Sequence, residues 1–241
     1  MTRAGRWWSA MLDLVYPRSC SICGSPPEDE TDHFCWDCLS GISMIQAPYC
    51  SRCGDPVDGR VDGDFVCYYC GEHNPHFDCA RSAARYDGPL RKAICSFKYN
   101  QALWLRRDLV RMLHACAEHH YGSTEIDAVT YVPLFPARRR QRGFNQAQLL
   151  ANGMAKLMHK PLLRNCLARV RPTPSQTNLT APQRITNVKG AFRAKKARWL
   201  EGRRLLLVDD VMTTGATVSE CSRVFKAAGV SRVYVVTLAR G

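Results

Sequence analysis

The sequence predicts an α/β protein in which a parallel sheet flanked by helices follows a small cysteine-rich module. Near the C-terminus, an apolar run at residues 205–208, an amphipathic run at 218–228 and a second apolar run at 233–238 form a strand, helix, strand unit. Such a unit closes right-handed in a parallel sheet. Eight of the 13 cysteines form four CxxC pairs before residue 71. We therefore expect a cysteine module at residues 1–80 and an α/β domain at residues 81–241.

Charge divides the chain at the same place. Residues 1–80 hold 5 Lys and Arg against 12 Asp and Glu, whereas residues 81–241 hold 29 basic and 9 acidic residues. The module is therefore a poor candidate for binding a nucleic-acid backbone, and the basic domain is the better one. No apolar run reaches 18 residues, and residues 7–16 include Asp13 and lack a small-residue cleavage site. We expect no membrane span, no signal peptide and a cytoplasmic protein.

The CxxC pairs predict two structural zinc sites. The pairs are Cys20 with Cys23, Cys35 with Cys38, Cys50 with Cys53, and Cys67 with Cys70. Two such knuckles complete a tetrahedral thiolate shell for Zn²⁺, and a reducing compartment favours metal over disulfides. The spacing suits two consecutive zinc ribbons, and a crossed pairing, first with third and second with fourth, stays open. His33, His73 and His76 are interpreted as exposed loop residues rather than ligands.

The remaining elements follow in chain order. They are a docking helix at residues 7–16, a strand at 83–86, helices at 89–99 and 103–120, a strand at 127–132 and a helix from Gly143 to about residue 159. Lys98 ends one helix, as either an anion contact or a solvated helix end. Residues 169–183 are polar and hold three prolines, which predicts a mobile lid or an extended loop.

A basic loop leaves the strand at 127–132. Arg138, Arg139, Arg140 and Arg142 lie within five residues and precede Gly143. Open α/β sheets bind ligands at the carboxyl ends of their strands, where arginines suit a phosphate or pyrophosphate. The alternative is a surface loop that contacts nucleic-acid backbone or solvent.

Two carboxylates and a small-residue turn follow the apolar run at 205–208. Asp209 and Asp210 come first, and the turn before the amphipathic helix consists of Thr213, Thr214, Gly215, Ala216 and Thr217. Adjacent carboxylates would repel a phosphate unless the same ligand also offers hydroxyl donors. A sugar diol on the carboxylates and a phosphate at the helix N-terminus together describe a ribose 5-phosphate.

This segment resembles the phosphoribosyl-pyrophosphate motif of type I phosphoribosyltransferases. Over almost the whole chain, the sequence resembles the ComF family of competence-associated proteins. The residues that carry the wider resemblance are the four CxxC pairs, Tyr86-Asp87-Gly88, Phe97-Lys98-Tyr99, Val132-Pro133-Leu134, Arg142-Gly143-Phe144-Asn145-Gln146, Gln176 and Arg184 with Asn187. The resemblance implies a type I phosphoribosyltransferase fold with a hood loop and an N-terminal double zinc ribbon.

The resemblance also implies an activity. Mg²⁺ and the protein would hold phosphoribosyl pyrophosphate, pyrophosphate would leave, and a nitrogen nucleophile would attack. Asp209 and Asp210 would take the ribose hydroxyls as the catalytic pair, residues 213–217 the 5-phosphate, and the arginine loop the pyrophosphate. Thr213 stands where members acting on oxopurines carry Asp, so the expected acceptor is neither hypoxanthine nor guanine. The resemblance also links the protein to DNA uptake.

Two further interpretations stay open. In the first, the protein is a non-catalytic sensor of a phosphoribosyl ligand, and its basic domain binds single-stranded DNA or a helicase or other DNA-processing partner. In the second, the pocket is vestigial.

Overall fold

The structure is a computed structural model that describes residues 19–26, 33–57, 59–61, 63–122, 126–173, 180–195 and 197–241. The docking helix expected at residues 7–16 and the motif residue Gln176 lie outside them. The helices are α1 (Trp36–Ser40), α2 (Tyr68–His73), α3 (Gly88–Tyr99), α4 (Arg106–Tyr121), α5 (Pro136–Arg142), α6 (Gln146–Leu157), α7 (Ala181–Val188) and α8 (Ala216–Ala227). The strands are β1 (Cys79–Arg85), β2 (Ala128–Tyr131), β3 (Leu167–Arg169), β4 (Phe192–Ala194), β5 (Arg204–Met212) and β6 (Arg232–Arg240). Short 3₁₀ turns occupy Leu103–Leu105 and Ala197–Trp199.

Four parallel strands form the central sheet in the order β1-β6-β5-β2. Strand β5 lies between β2 and β6, with Val208 opposite Tyr131 and Asp209 opposite Thr237. Strands β3 and β4 pair separately and antiparallel. The strand, helix, strand unit predicted from the C-terminal sequence is confirmed as β5-α8-β6, because β5 and β6 are parallel neighbours.

The core occupies both faces of the sheet. Leu206 and Val208 of β5 pack on one side in a cluster with residues of α3, α4 and α6, while Leu205 and Leu207 pack on the other with residues of α8. The β5 side chains on both faces are apolar, as expected for a parallel sheet whose two faces are covered by helices. Within the described part of the chain, no helix is long and apolar enough to cross a membrane.

The cysteine module covers the outer edge of β1. The amide of Ile45 donates to the Ala83 carbonyl over 3.1 Å, and the amide of Arg85 donates to the Ser43 carbonyl over 2.8 Å. An uncovered edge strand would present these groups to other chains. The module is thus attached to the sheet by backbone hydrogen bonds.

Two segments expected to be loops contain helices. Residues 136–142 form α5, with Pro136 in its first turn and Gly143, at a φ of 80°, ending it. Helix α7 begins inside the interval 169–183, where Thr180 and Gln183 form a capping box. Both helices are short. Helix α5 has no buried residue and is specified by its caps, whereas α7 also packs Ile185 and Val188 against the core. The loop expected at residues 136–142 was therefore wrong. In the interval 169–183 only the last three residues are helical, and residues 174–179 lie outside the described part of the chain.

Candidate phosphoribosyl site

The two aspartates lie within β5 and belong to opposite faces of the sheet. The strand continues past the apolar run as far as Met212. Because side chains alternate along a strand, Asp210 faces α3, where it meets Lys98, and Asp209 faces α8. Each carboxylate therefore has its own surroundings at the carboxyl end of the sheet.

Lys98 is the cation beside Asp210. Its Nζ lies 3.0 Å from Asp210 Oδ1, and the two side chains are 13% and 14% exposed. Lys98 stands in the last turn of α3. It is thus not a solvated helix end, because it pairs with a carboxylate of the protein itself.

Asp209 has a raised pKa. Burial, together with the neighbouring charge of Asp210, raises the pKa of Asp209 to about 8, against the opposing charges of Lys98 and Arg169. The amide of Asp210 donates to Asp209 Oδ1 over 2.9 Å. With this pKa the Asp209 carboxyl holds a proton over much of the neutral range, so it can donate a hydrogen bond as well as accept one.

Arg169 is a half-buried cation that sequence reasoning did not select. Its guanidinium lies 5.3 Å from the centre of the Phe192 ring and donates to the Thr173 hydroxyl. Its Nε is buried without a hydrogen-bond partner among the described residues. Burial lowers the pKa of Arg169, and the charges of Arg138 and Asp209 act on it. A single arginine in a polar stretch carries no spacing signal that could have identified it.

The four predicted arginines of α5 have different surroundings. Arg138 is half-buried on the side of Arg169, whereas Arg139 and Arg140 are exposed. The guanidinium of Arg142 lies 4.9 Å from the centre of the Tyr99 ring. The structure thus places Arg138 close enough to Arg169 for their charges to interact, and it leaves Arg139 and Arg140 exposed.

The turn at residues 213–217 joins β5 to α8. Gly215 is the N-cap of this helix, with a φ of 77° that an L side chain rarely adopts. The Ala216 amide points at Thr214 Oγ1, 3.4 Å away. A small pocket at the start of the helix is lined by Asp209, Val211, Met212, Val218 and every turn residue except Thr214. The positive end of a 12-residue helix therefore faces a pocket that also holds a carboxyl group.

The eight module cysteines gather into two groups of four. Each group consists of consecutive pairs, and its sulfur atoms lie within 4.8 Å of one another. This excludes the crossed pairing that the spacing left open. Each group has the ligand number and type of a structural Cys₄ zinc site, with no position left for a substrate. The groups are Cys20, Cys23, Cys35 and Cys38, the first cysteine group, and Cys50, Cys53, Cys67 and Cys70, the second cysteine group.

The second cysteine group contains a thiol that favours ionisation. A hydrogen bond with Cys70 lowers the pKa of Cys53 to about 5, against burial, and the charge of Arg240 adds to the effect. A thiolate is the form that binds metal. Four clustered sulfurs, one of them on a cysteine with a lowered pKa, therefore fit Zn²⁺.

Comparisons with known proteins identify the family. Residues 11–72 match the family model described as a double zinc ribbon domain, and residues 145–241 match the phosphoribosyl transferase domain. Competence protein F of Haemophilus influenzae is 34% identical over 210 residues, which cover 86% of this chain and 90% of that protein. The chain belongs to the ComF family. DNA utilization protein YhgH of Escherichia coli is 30% identical over 94% of this ComF-family chain and 99% of its own length.

A solved structure also matches the ComF-family chain. It is a glutamine phosphoribosylpyrophosphate amidotransferase from B. subtilis, complexed with ADP and GMP, at a TM-score of 0.37 and 23% identity. The match covers 55% of this chain and 25% of that one. The matched family model and the parallel sheet show that the ComF-family chain has a phosphoribosyltransferase-type domain. Its two Cys₄ sites fit the matched double zinc ribbon.

Proposed function

We propose that this ComF-family protein binds phosphoribosyl pyrophosphate and transfers the phosphoribosyl group to a nitrogen acceptor, releasing pyrophosphate. The observation that carries the proposal is the arrangement at the end of β5. Asp209 and Asp210 lead there into the turn that contains Gly215, the N-cap of α8. This arrangement offers hydroxyl acceptors and a phosphate site a few residues apart. The matched phosphoribosyl transferase domain supports the same ligand.

The turn at residues 213–217 would hold the 5-phosphate of the donor. Its backbone amides and threonine hydroxyls stand at the positive end of α8, which favours an anion. Asp209 and Asp210 would bind the ribose hydroxyls, and the proton on Asp209 would reduce the repulsion between the two acids and the phosphates.

The pyrophosphate would meet the cations beside Asp209. Arg138 and the half-buried Arg169 are the candidates, since the Nε of Arg169 is buried without a partner among the described residues. As the bond from C1 to the pyrophosphate oxygen breaks, its electron pair leaves with the pyrophosphate, and these guanidiniums would stabilise the growing negative charge. Bound Mg²⁺ would supply further neutralisation of the donor phosphates. The acceptor nitrogen then forms the new bond to C1 and loses its proton.

Calorimetry with the donor and Mg²⁺ tests the binding site. The double substitution Asp209→Asn with Asp210→Asn should abolish donor binding without changing the zinc content. Asp127→Asn is the matched control, because Asp127 pairs with Arg204 at the opposite end of β5. Arg204 Nη2 lies 3.2 Å from Asp127 Oδ1. Equal donor affinity in the wild type and the double variant would show that the site is assigned wrongly.

A pyrophosphate-release assay tests catalysis. Wild-type protein, the donor and Mg²⁺ are incubated with a panel of nitrogenous bases and amines. We expect release that depends on one acceptor class and is lost in the double aspartate variant. Donor binding without release across the panel would instead indicate a phosphoribosyl sensor.

A second candidate function is binding of single-stranded DNA. Arg139 and Arg140 are exposed on α5, close in sequence to Arg142, which stacks on the exposed ring of Tyr99. Guanidiniums beside an aromatic platform suit phosphates and stacked bases. The names competence protein F and DNA utilization protein, which two relatives bear, agree with a role in handling DNA.

Filter binding over a range of salt concentrations tests this second function. Substituting Arg139→Gln with Arg140→Gln should weaken binding of a single-stranded oligonucleotide and reduce the slope of log K against log salt by about 0.7 for each phosphate that the variant no longer neutralises. Donor affinity should not change. An unchanged salt slope would exclude α5 as the DNA-binding surface.

A further inference from the structure

We propose that Arg240 is a positioning residue that couples the second cysteine group to the phosphate-binding turn. The part of this proposal that concerns ligand binding rests on the function proposed above, in which the turn at residues 213–217 holds a phosphate. Loss of zinc from this group would then weaken ligand binding at the turn, and loss from the first cysteine group would not.

The main chain of Arg240 is held between two strands. It is the last residue of β6, it stands opposite Met212 at the end of β5, and its carbonyl accepts from the Tyr86 amide over 2.6 Å. The whole residue is only 8% exposed. The side chain therefore starts from a fixed point directly beside the turn.

The guanidinium of Arg240 joins three groups. Its Nε lies 2.8 Å from Asp55 Oδ1, one terminal nitrogen donates to the Thr213 carbonyl, and the other lies 3.9 Å from Cys53 Sγ. The Asp55 carbonyl in turn accepts from the Cys50 amide over 2.8 Å. Because a guanidinium is planar and rigid, movement of the cysteine knuckle is passed to the first residue of the turn.

Other residues near the second cysteine group also contact the turn and the helix after it. The ring of Phe77 packs under Gly215, where an added Cβ would lie 3.6 Å from Phe77 Cε1. The Tyr69 hydroxyl interacts with the Thr214 side chain. The amide of His76 donates to the Ser219 hydroxyl over 3.1 Å. The turn is thus built against this ribbon.

The first cysteine group is attached elsewhere. The His33 amide donates to Asp108 Oδ2 of α4 over 3.3 Å, and the Trp104 indole donates to the Ser21 hydroxyl over 2.9 Å. These contacts lie on the face of the sheet covered by α3 and α4. Removal of zinc from the first cysteine group is therefore a control: it shows whether zinc loss acts on the turn merely by destabilising the protein.

The coupling follows from preorganisation. Phosphate binding by backbone amides requires the turn to be in its binding conformation before the ligand arrives. Without the guanidinium, the Thr213 carbonyl loses its donor, and the turn can take other conformations. Coupling between two sites is reciprocal, so a ligand on the turn must also slow the loss of zinc from the second cysteine group.

Hydrogen exchange of the full-length protein tests the coupling without any ligand. Cys53→Ala with Cys70→Ala should speed amide exchange at residues 211–219, whereas Cys35→Ala with Cys38→Ala should speed exchange in α4 and leave the turn unchanged. Each variant should lose one zinc. Equal exchange at the turn in both variants would overturn the proposal.

Ligand binding is the second readout. By calorimetry, the second-group variant and Arg240→Gln should bind phosphoribosyl pyrophosphate with Mg²⁺ at least about tenfold more weakly, and Arg240→Lys should recover part of the loss. The first-group variant should match the wild type. If Arg240→Gln does not fold, Asp55→Asn removes the carboxylate partner of the guanidinium and carries the same test.

Zinc release to a chelator gives the reciprocal measurement. Saturating donor should slow release of one of the two zinc ions in the wild type and not in Arg240→Gln. If the wild type binds no donor, the proposed function fails while the exchange comparison still decides the coupling. If the donor binds but neither turn exchange nor zinc release responds, the coupling alone is wrong.

Discussion

Lys98 Nζ lies 3.0 Å from Asp210 Oδ1, so an ion pair joins the last turn of α3 to the end of β5. Two carboxylates stand side by side at this point in the chain, and Lys98 offsets the charge of one of them. The charge of Lys98 also opposes the rise in the pKa of Asp209. The pair therefore helps to keep two adjacent acids in a partly buried site.

Breaking this pair should be more harmful than replacing it. Lys98→Met leaves Asp210 without its cation, and Asp210→Asn leaves Lys98 without its anion, so each should lower the free energy of unfolding by about 3 kcal/mol. The double variant should recover a coupling energy of about 1–3 kcal/mol. Urea unfolding of the four proteins measures this, and additive effects would show that the two groups do not interact.

Asp209 should make stability depend on pH. Its pKa is raised to about 8 in the folded protein, against about 4 in an unfolded chain. The folded state therefore binds the proton more tightly, and this contribution is complete below about pH 4 and is lost as the pH rises toward 8. Asp209→Asn removes the ionisation. The melting temperature of the variant minus that of the wild type should be larger at pH 8.5 than at pH 5. An equal difference at both pH values would contradict the raised pKa of Asp209.

The zinc content should not depend on histidine. Both groups consist of four cysteines, and His33, His73 and His76 lie outside them. The triple variant His33→Ala, His73→Ala and His76→Ala should therefore retain two zinc ions for each chain by mass spectrometry under native conditions. Loss of an ion from this variant would mean that a histidine acts as a ligand. Cys38→Ser, which removes a ligand of the first cysteine group, is the control for detecting such a loss.

The contact between α4 and α6 should not tolerate a methyl group at Gly153. A Cβ at this position would lie 2.6 Å from Val110 Cγ2 and 2.8 Å from Val110 Cγ1. Gly153→Ala should lower the free energy of unfolding by about 1–3 kcal/mol, and adding Val110→Ala should recover part of it. Gly71→Ala is the matched control, since a Cβ there meets nothing within 4 Å. Denaturant unfolding in which both alanine variants behave alike would contradict the close packing.

Several features could be predicted because their geometry is contained in a short stretch of sequence. A CxxC pair brings two sulfurs onto one turn in any fold, and the four pairs formed the two groups that consecutive pairing requires. The unit β5-α8-β6 was evident from its apolar runs, and the acid pair and the turn occupy nine consecutive residues. The caps of α5 and α7 were also local signals, but α5 has no apolar stripe, and in α7 the stripe is short and consists of Ile185 and Val188.

The partners of the site residues were decided by the tertiary structure. Arg240 and Asp55 are 185 residues apart, and they meet because the sheet order β1-β6-β5-β2 places the last strand beside the first and next to β5. The same order brings α3, with Lys98, to Asp210. The charge of Arg169, which lies in the separate β3-β4 sheet, also acts on Asp209. By itself, the sequence determined the residue types of the metal sites and of the acidic turn. The charges that act on the turn come from distant segments, and no local pattern specifies which strands will be neighbours.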